Sequence, residues 1–529
     1  MAKSVERAAD KKELDDLVGA LGENRLPLRK PCMGGTRTTI LQEIENEIEN
    51  VNAPNVIWIR GSPGVGKSAL AASIANWLMD RKRHVIQFRF DRTQSSVTTI
   101  ALWRTVACDL ARLFPSLRQH LAQGDQGHNS SDIDRLFKLL IEVPLSALDD
   151  AIRRERLPVI VIDALDECGG LRHDASGKED FQSLLHTLKR WTQVDHLKRF
   201  KLVITSRPED RISRTFPKTI SIHIAIPSGS DVELGDSASQ DIHVFLKSRL
   251  ESMGMEGALI RKALDYLVPR AAGIFIWATT TANFLESDPE SRFAMLEKGD
   301  GKGLKSLYSL YSTIIKASFG HDLDEEETEA VASVMGAMIF SKQPLDDDAL
   351  TMLPLIKIPD SDANRLGLIR KGLASVIDSG PILHFHHRSF EDFLLSTFFL
   401  QELPEFSSVQ DRGHHEHRLA MLCLKTLVSS KLHFNMCNLD SSTIKNADIQ
   451  PTVKSTIPRL ILYSSLFWVD HIIQTPYDEK MMEAVKFVIY EKLLFWLEVM
   501  SLTGDVHEAY LILRRAATWK VCLRVIHLR

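Results

Sequence analysis

A short run early in the chain has the residue types that bind phosphate. Residues 61–68 read Gly-Ser-Pro-Gly-Val-Gly-Lys-Ser and match the pattern G-x-x-x-x-G-K-[ST] of a phosphate-binding loop, or P-loop. Glycines let the backbone turn its N–H groups toward a bound anion. We expect the Lys67 ammonium to reach the β- and γ-phosphates of a nucleotide and the Ser68 hydroxyl to bind Mg²⁺. The predicted nucleotide-binding residues are Gly61, Ser62, Pro63, Gly64, Val65, Gly66, Lys67, Ser68 and Ala69.

A P-loop must lie between a strand and a helix, and the flanking sequence supplies both. The apolar run at residues 56–59 is typical of a buried strand, and residues 69–78 have the spacing of a helix. A helix that begins near Lys67 places the positive end of its dipole at the phosphates. The alternative interpretation is a glycine-rich turn followed by an unrelated Lys-Ser pair.

A second set of candidate residues follows another apolar run, at residues 159–162. This run delivers Asp163 to the carboxyl end of a central strand, where its carboxylate would hold Mg²⁺ beside the P-loop. Asp166 and Glu167 follow in the same loop, and one or the other would polarise the attacking water. A solvated acidic loop is the alternative.

A third strand-like run, at residues 201–206, is followed directly by Arg207. A planar guanidinium can bond two phosphate oxygens at once, so we predict that Arg207 detects the γ-phosphate. A surface arginine paired with Glu209 or Asp210 is the alternative. No N-K-x-D pattern for guanine recognition occurs in the chain, which favours ATP and ADP as the nucleotides.

Strand-like runs alternate with helical stretches over the first 226 residues. The predicted strands cover 56–59, 84–90, 158–163, 201–206 and 219–225, and the predicted helices cover 37–50, 69–78, 97–114, 131–153 and 178–192. This alternation is typical of βαβ units, so the predicted fold class is an α/β P-loop NTPase core with a doubly wound parallel sheet. Helices dominate the rest, apart from two strand-like runs at 375–377 and 382–385.

The length of 529 residues is too great for one hydrophobic core, so several domains are expected. A Ser- and Gly-rich loop at 227–237 marks the end of the α/β core. The predicted domains are a lead-in at 1–30, the NTPase core at 31–226, a helical domain at 227–318, a small winged-helix domain at 319–400 and a C-terminal helical domain at 401–529.

Composition narrows the classes of function. A net charge of −4 gives no general attraction to nucleic acid, so we expect no nucleic-acid partner. No apolar stretch reaches the roughly 18 residues of a membrane span, and the first residues lack the apolar region of a secretory signal. The six cysteines are scattered without C-x-x-C pairs, as in reduced intracellular proteins, so we expect a cytoplasmic location.

Taken together, these motifs resemble the NACHT class of STAND signalling ATPases. The sequence Asp-Ala-Leu-Asp-Glu at 163–167 is the sharpest match. The resemblance is closest to fungal NACHT proteins whose core is the nephrocystin-3-like N-terminal module and which usually carry WD40, ankyrin or similar repeats. We expect this chain to stop before any such repeat. The matching segments are 61–68, 159–167 and 201–208 in the core, 32–37 before it, 272–278 in the helical domain and 387–394 in the winged helix.

The resemblance implies a switch rather than a metabolic enzyme. In the family, ADP holds the core and the winged helix together in an inactive monomer, and exchange for ATP permits self-association. His387 matches the winged-helix position that contacts the ADP β-phosphate. The alternative for His387 is a structural histidine. A zinc site among the neighbouring histidines is disfavoured because no cysteine or acidic pair completes a tetrahedral ligand set.

Three functions stay open at this point. The first is a switch with slow, Mg²⁺-dependent ATP hydrolysis that acts in signalling or defence. The second is an ADP-loaded interaction scaffold without useful turnover, in which the nucleotide stabilises the fold. The third is an AAA+-type motor, which would need an arginine finger in trans, and nothing in the sequence marks one.

Overall fold

The structure, a computed structural model, describes most of the chain. The described residues are 25–91, 97–122, 132–168, 175–226, 235–298, 307–320, 323–353, 365–378, 382–441 and 446–526, together with 12, 14, 15, 17–19, 21, 23, 380, 443 and 444. They belong to two compact units, Met1–Leu307 and Tyr308–Arg529. The predicted lead-in at 1–30 is described only in part, and its residues 14, 15, 17 and 18 are helical.

A five-stranded parallel sheet forms the centre of the first unit. Its strands are β1 Val56–Arg60, β2 Val85–Arg89, β3 Val159–Asp163, β4 Leu202–Ser206 and β5 Ile222–Ala225. Their order across the sheet is β2-β3-β4-β1-β5. The predicted parallel sheet is therefore confirmed. Strand β4 therefore separates β3, which ends at Asp163, from β1, which leads into the P-loop.

Helices cover both faces of this sheet. The helices of the first unit are α1 Thr38–Glu49, α2 Lys67–Asp80, α3 Thr99–Leu113, α4 Pro115–Ala122, α5 Ile133–Phe137, α6 Val143–Ser146, α7 Ala175–Gln193, α8 Asp210–Thr215, α9 Gly235–Ser252, α10 Gly257–Ala271, α11 Phe275–Leu285 and α12 Pro289–Lys298. Along β1, Ile57 and Ile59 pack with residues of α1 and α2, whereas Val56 and Trp58 pack with residues of α3, α5 and α7. This alternation along a strand buried on both faces is what makes the sheet doubly wound.

The helix predicted over 131–153 is wrong as a single element. It divides into α5, a π-helical turn at Lys138–Glu142 and the short α6. Pro144 has no backbone N–H to give to a helical ladder, so the regular pattern is interrupted there. The chain after α6 forms a turn instead, in which the Arg199 guanidinium donates to the carbonyls of Asp149 and Ile152.

The boundary loop predicted at 227–237 is shorter than expected at its far end. Residues 227–234 lie outside the described residues, and α9 already begins at Gly235. Helices were expected to dominate the chain after the core, and α9, α10 and α11 are present there. Among the residues described, no helix combines the length and the apolar character needed to cross a lipid bilayer.

The second unit is helical. Its helices are α13 Leu307–Phe319, α14 Glu325–Phe340, α15 Asp347–Thr351, α16 Arg365–Leu373, α17 Arg388–Leu394, α18 Thr397–Glu402, α19 Arg412–Val428, α20 Gln450–Thr456, α21 Arg459–Ile472, α22 Glu479–Phe487, α23 Leu493–Thr503 and α24 Val506–Ile526. The strand-like runs at 375–377 and 382–385 form only isolated antiparallel bridges, Ile377 with Phe385 and Asp346 with Ile382. Two strands were expected there, but runs this short pair at single residues.

Candidate functional site

The P-loop connects β1 to α2 with the geometry that the motif predicts. Gly64 has φ 78° and Gly66 has φ 96°, both in the left-handed region that other residues rarely adopt. Gly66 is the N-cap of α2, and the helix begins at Lys67. The loop therefore lies at the positive end of a 14-residue helix, where an anion is stabilised.

The Lys67 ammonium lies on the loop itself. Its Nζ donates to the carbonyl oxygens of Gly61 at 2.8 Å and Ser62 at 3.0 Å. Burial lowers the pKa of Lys67, and the nearby carboxylates of Asp166, Asp163 and Glu167 oppose that change. The lysine and the predicted acids are thus close enough to interact electrostatically, as a P-loop NTPase site requires.

Asp163, at the end of β3, is completely buried. Its Oδ1 accepts a hydrogen bond from the Thr205 hydroxyl at 2.5 Å, whereas its Oδ2 has no hydrogen-bond partner among the described residues. Burial raises the pKa of Asp163, and the hydroxyls of Thr205 and Ser68 oppose the rise. Both predicted metal ligands, Ser68 and Asp163, are therefore neighbours.

The surroundings of Asp163 fit a bound magnesium ion. A buried carboxylate oxygen without a partner is costly unless a cation or a donor satisfies it. No group of three or more His, Cys, Asp or Glu side chains that could hold a metal occurs among the described residues. The two predicted ligands, the Ser68 hydroxyl and the Asp163 carboxylate, are oxygen groups of the kind that Mg²⁺ prefers, and this ion usually binds one or two protein oxygens and completes its shell with phosphate and water.

Thr205 is a site residue that the sequence analysis missed. Its hydroxyl donates to Asp163 and also accepts from the backbone N–H of Ala164 at 3.0 Å. Ala164 adopts φ 57°, so the chain turns sharply just after Asp163. The sequence did contain a signal for Thr205, because a hydroxyl near the end of a parallel strand can reach the neighbouring strand. The strand order was needed to show that this neighbour is β3.

Arg207 pairs with Asp166. The backbone N–H of Arg207 donates to Asp166 Oδ1 at 3.0 Å, and its Nε lies 3.3 Å from Oδ2. The Asp166 side chain is only 4% exposed. One of the two acids proposed to act on water is therefore already engaged with the residue proposed to detect the γ-phosphate.

Glu167 is the other acid of this loop. Burial raises the pKa of Glu167 to about 7, and the charges of Asp91 and Asp166 add to the rise. A carboxyl group with such a pKa can exchange a proton near neutral pH. The structure thus distinguishes the two acids, although the role of each in hydrolysis stays a prediction.

The first turn of α11 contacts the P-loop, which the sequence did not indicate. The backbone N–H of Ile276 donates to the Gly64 carbonyl at 2.9 Å. A Cβ atom on Gly64 would lie 2.1 Å from Ile276 Cγ2, so this position must be glycine for two reasons. The helical region that follows the core is therefore part of the environment of the P-loop.

His387 belongs to the second unit and is the N-cap of α17. Its Nδ1 accepts from the backbone N–H of Ser389 at 3.1 Å and lies 2.7 Å from the Ser389 hydroxyl. This is the structural role that was the alternative for His387. Contact with the ADP β-phosphate stays a prediction for this residue.

Residues 35–207 match the family model described as "Nephrocystin 3, N-terminal". The match begins two residues before Arg37 and ends at Arg207, so it includes the core motifs at 61–68 and 159–167 and all but the last residue of the motif at 201–208. A search of curated proteins found no match.

Several solved structures align with this chain at low sequence identity and low TM-score. A STAND protein with a tetratricopeptide repeat sensor from Pyrococcus horikoshii is 15% identical, with a TM-score of 0.40, and the alignment covers 94% of this chain and 64% of that one. Cdc6p from Pyrobaculum aerophilum is 13% identical, with a TM-score of 0.32, over 74% of this chain and 97% of that one. AMPPCP-bound DnaA from Aquifex aeolicus is 14% identical, with a TM-score of 0.29, over 72% and 96%. The chain therefore spans less than two thirds of the length of the STAND protein.

Proposed function

We propose that this chain is a nucleotide-dependent switch built on a P-loop NTPase module of the NACHT class, and the match of residues 35–207 to the nephrocystin-3 N-terminal model supports this. It binds ATP and ADP, hydrolyses ATP slowly, and changes its partner binding or self-association with the bound nucleotide. The observation that carries the proposal is the buried Asp163, which lies near Ser68 and the P-loop lysine and whose Oδ2 accepts no hydrogen bond from any described residue.

Binding of the phosphates follows from the loop geometry. The left-handed Gly64 and Gly66 lie at the start of α2, where backbone N–H groups would bind an anion, and Lys67 adds a full positive charge. A phosphate would replace the carbonyls of Gly61 and Ser62 as acceptors for the Lys67 ammonium. The phosphate would then pair with the Lys67 ammonium and offset the burial that disfavours its charged form.

Ser68 and Asp163 are the residues that would hold Mg²⁺. The ion would supply positive charge to the β- and γ-phosphate oxygens when it is bound. Thr205 keeps the Asp163 carboxylate in one orientation, because its hydroxyl bonds both Asp163 and the following backbone N–H. A fixed carboxylate binds a cation without first having to be ordered.

Glu167 is the better candidate for polarising the attacking water. Asp166 is held by two contacts with Arg207, so its oxygens are less available. Arg207 can exchange this carboxylate for the γ-phosphate, since both are anions of a size that suits its guanidinium. Loss of the γ-phosphate would return Arg207 to Asp166, and this is how we propose that the site distinguishes ATP from ADP.

A nucleotide changes the shape of a protein only by binding two states with different affinity. We propose that the second unit, with His387, responds to the nucleotide and that self-association follows exchange of ADP for ATP. The Asp166–Arg207 pair also supports the second candidate, an ADP-loaded scaffold without useful turnover. If Asp166 is the residue needed for hydrolysis, its engagement with Arg207 would keep turnover near background.

The test is to identify the nucleotide that remains bound to the purified chain and to measure its affinity by calorimetry. We expect ADP or ATP in stoichiometric amount, and Lys67→Ala should abolish binding. Lys247→Ala is the matched control, because Lys247 lies on α9 with an exposed side chain and a long 3.9 Å contact to Glu251. Unchanged nucleotide content in Lys67→Ala would contradict the proposal. Bound ADP with no measurable hydrolysis would favour the scaffold over the switch with turnover.

A further inference from the structure

Arg37 is a buried arginine that is not explained by the chemistry of the site. It is the N-cap of α1, in the left-handed conformation with φ 58°, and its side chain is 3% exposed. Burial lowers the pKa of the Arg37 guanidinium. Burying a charge of this kind is unfavourable unless its partners are specific and well placed.

The partners of Arg37 lie in three separate segments of the first unit. Its Nη2 donates to the Val65 carbonyl inside the P-loop at 2.8 Å. Its backbone N–H donates to Asp241 Oδ1 on α9 at 3.1 Å, and its Nε lies 3.9 Å from Asp241 Oδ2. Its guanidinium carbon lies 4.7 Å from the centre of the Phe275 ring on α11. We call Arg37, Val65, Asp241 and Phe275 the Arg37 junction.

The junction lies beside a second connection between the same elements. The N–H of Ile276, next to Phe275, donates to the carbonyl of Gly64, next to Val65. Two consecutive carbonyls of the P-loop are therefore bonded to groups outside the loop, one by Arg37 and one by α11. Phe275 also packs edge-to-face on Phe245 of α9 at 6.0 Å, so α9 and α11 share the junction as one packed pair.

We propose that Arg37 is a positioning residue that couples occupancy of the P-loop to the helical pair α9 and α11. The inference rests on the proposed function, because it names how that nucleotide site communicates with the region that follows. A peptide that turns its carbonyl toward Arg37 or α11 presents its N–H groups to the opposite side, where the phosphates bind. The junction therefore stabilises the binding form of the loop, and by reciprocity a bound nucleotide stabilises the docking of α9 and α11.

An arginine suits this role better than a lysine does. Its fork can bond a carbonyl with one nitrogen and face a carboxylate with another, while its flat surface stacks on an aromatic ring. Arg37→Lys keeps the charge but cannot make the three contacts together. Loss of the Val65 hydrogen bond and of pre-organisation should weaken ADP binding about fivefold in both Arg37→Met and Arg37→Lys.

The experiment is hydrogen exchange of the whole chain, measured by mass spectrometry with and without saturating ADP. In the unmodified chain, ADP should slow exchange in the P-loop, in the first turn of α11 and in the second and third turns of α9, which carry Asp241 and Phe245. In Arg37→Met, saturating ADP should still protect the P-loop, but the protection of α9 and α11 should fall at least threefold. Arg118→Met is the matched control, because Arg118 is also buried and its Nε donates to the Ala111 carbonyl, away from the P-loop.

The possible results separate this inference from the proposed function. If ADP protects nothing in the unmodified chain, both are wrong. If ADP protects the P-loop in both proteins and α9 and α11 respond equally in Arg37→Met, only the coupling role is wrong. If Arg37→Met does not fold, Asp241→Asn provides the same test, since it removes the carboxylate charge from α9 and leaves the bond from Arg37 to Val65. A reduced response of α9 and α11 in Asp241→Asn supports the inference, and an unchanged response overturns it.

Discussion

Each compact unit contains a fully buried carboxylate, and the two have opposite surroundings. In the second unit, Glu416 Oε1 accepts from Lys342 Nζ at 3.0 Å, and Oε2 lies 2.6 Å from His471 Nδ1. His471 in turn hydrogen-bonds the Tyr463 hydroxyl at 2.7 Å through Nε2. In the first unit, one oxygen of Asp163 accepts a hydrogen bond from Thr205, and the other has no hydrogen-bond partner in the described part of the chain.

The electrostatic consequences differ accordingly. Burial acts to raise the pKa of Glu416, but the hydrogen bond and charge of His471, together with Lys342, lower it overall. Burial raises the pKa of Asp163, and the nearby hydroxyls do not reverse this. A buried acid whose oxygens are all paired within the protein stabilises its own unit. A buried acid with an unpaired oxygen is better explained by a bound ligand that pairs with that oxygen.

Removal of Glu416 should have the largest effect on stability. Glu416→Ala leaves Lys342 and His471 without their buried partner, so we expect a loss of about 4 kcal/mol in the free energy of unfolding of the second unit. Urea unfolding followed by circular dichroism measures this loss. Glu405→Ala, at an exposed position of the same unit, is the control and should change little. A loss below about 1 kcal/mol in Glu416→Ala would remove the contrast between the two acids.

The corresponding change in the first unit should affect function more than stability. Asp163→Asn keeps an acceptor for Thr205 and removes a buried charge, so we expect unfolding free energy to change by less than about 1 kcal/mol. Mg²⁺-dependent ATP hydrolysis should fall on the order of 100-fold, because the variant would bind Mg²⁺ less well and the negative charge of the transition state would lose that stabilisation. A phosphate-release assay and a urea melt on the same preparation measure both effects. Strong destabilisation with normal hydrolysis would show that Asp163 is structural, like Glu416.

A smaller effect should appear as acid sensitivity of the second unit. Burial lowers the pKa of His415 to about 4, and the ring stacks on Phe340 and lies against Gly336, with Nε2 2.9 Å from the Ser408 carbonyl. The folded pKa is below the unfolded value of about 6.5, so the unfolded state takes up the proton first and stability falls as pH decreases below that value. His415 should contribute a loss of about 2 kcal/mol between pH 7 and pH 5.

Urea unfolding at these two pH values measures the loss, and His415→Gln should remove the His415 share of it. An amide at this position can still donate to the Ser408 carbonyl, so the variant should fold. An identical pH dependence in His415→Gln and the unmodified chain would assign the acid sensitivity to other groups, such as His471.

Much of the first unit could be predicted from local sequence. The P-loop, the strand before it and the helix after it follow from glycine positions and apolar periodicity, which depend on neighbouring residues only. The helix predicted at 131–153 was wrong as one regular helix, because the chain forms a π-helical turn before Pro144 and leaves the helix after Ser146. The two short runs around the turn at residue 380 had strand composition, yet pairing depends on a partner and here produced single bridges.

The sequence by itself determined which residues could bind phosphate and metal, since residue type and spacing in one loop are local properties. Only the tertiary structure decided which other residues contact them. It placed β4 between β1 and β3, which brought Thr205 to Asp163 and Arg207 to Asp166. It also brought Arg37 to the P-loop carbonyl of Val65. These contacts join residues that are 28 to 42 positions apart, and such pairs depend on strand order and helix packing rather than on local preference.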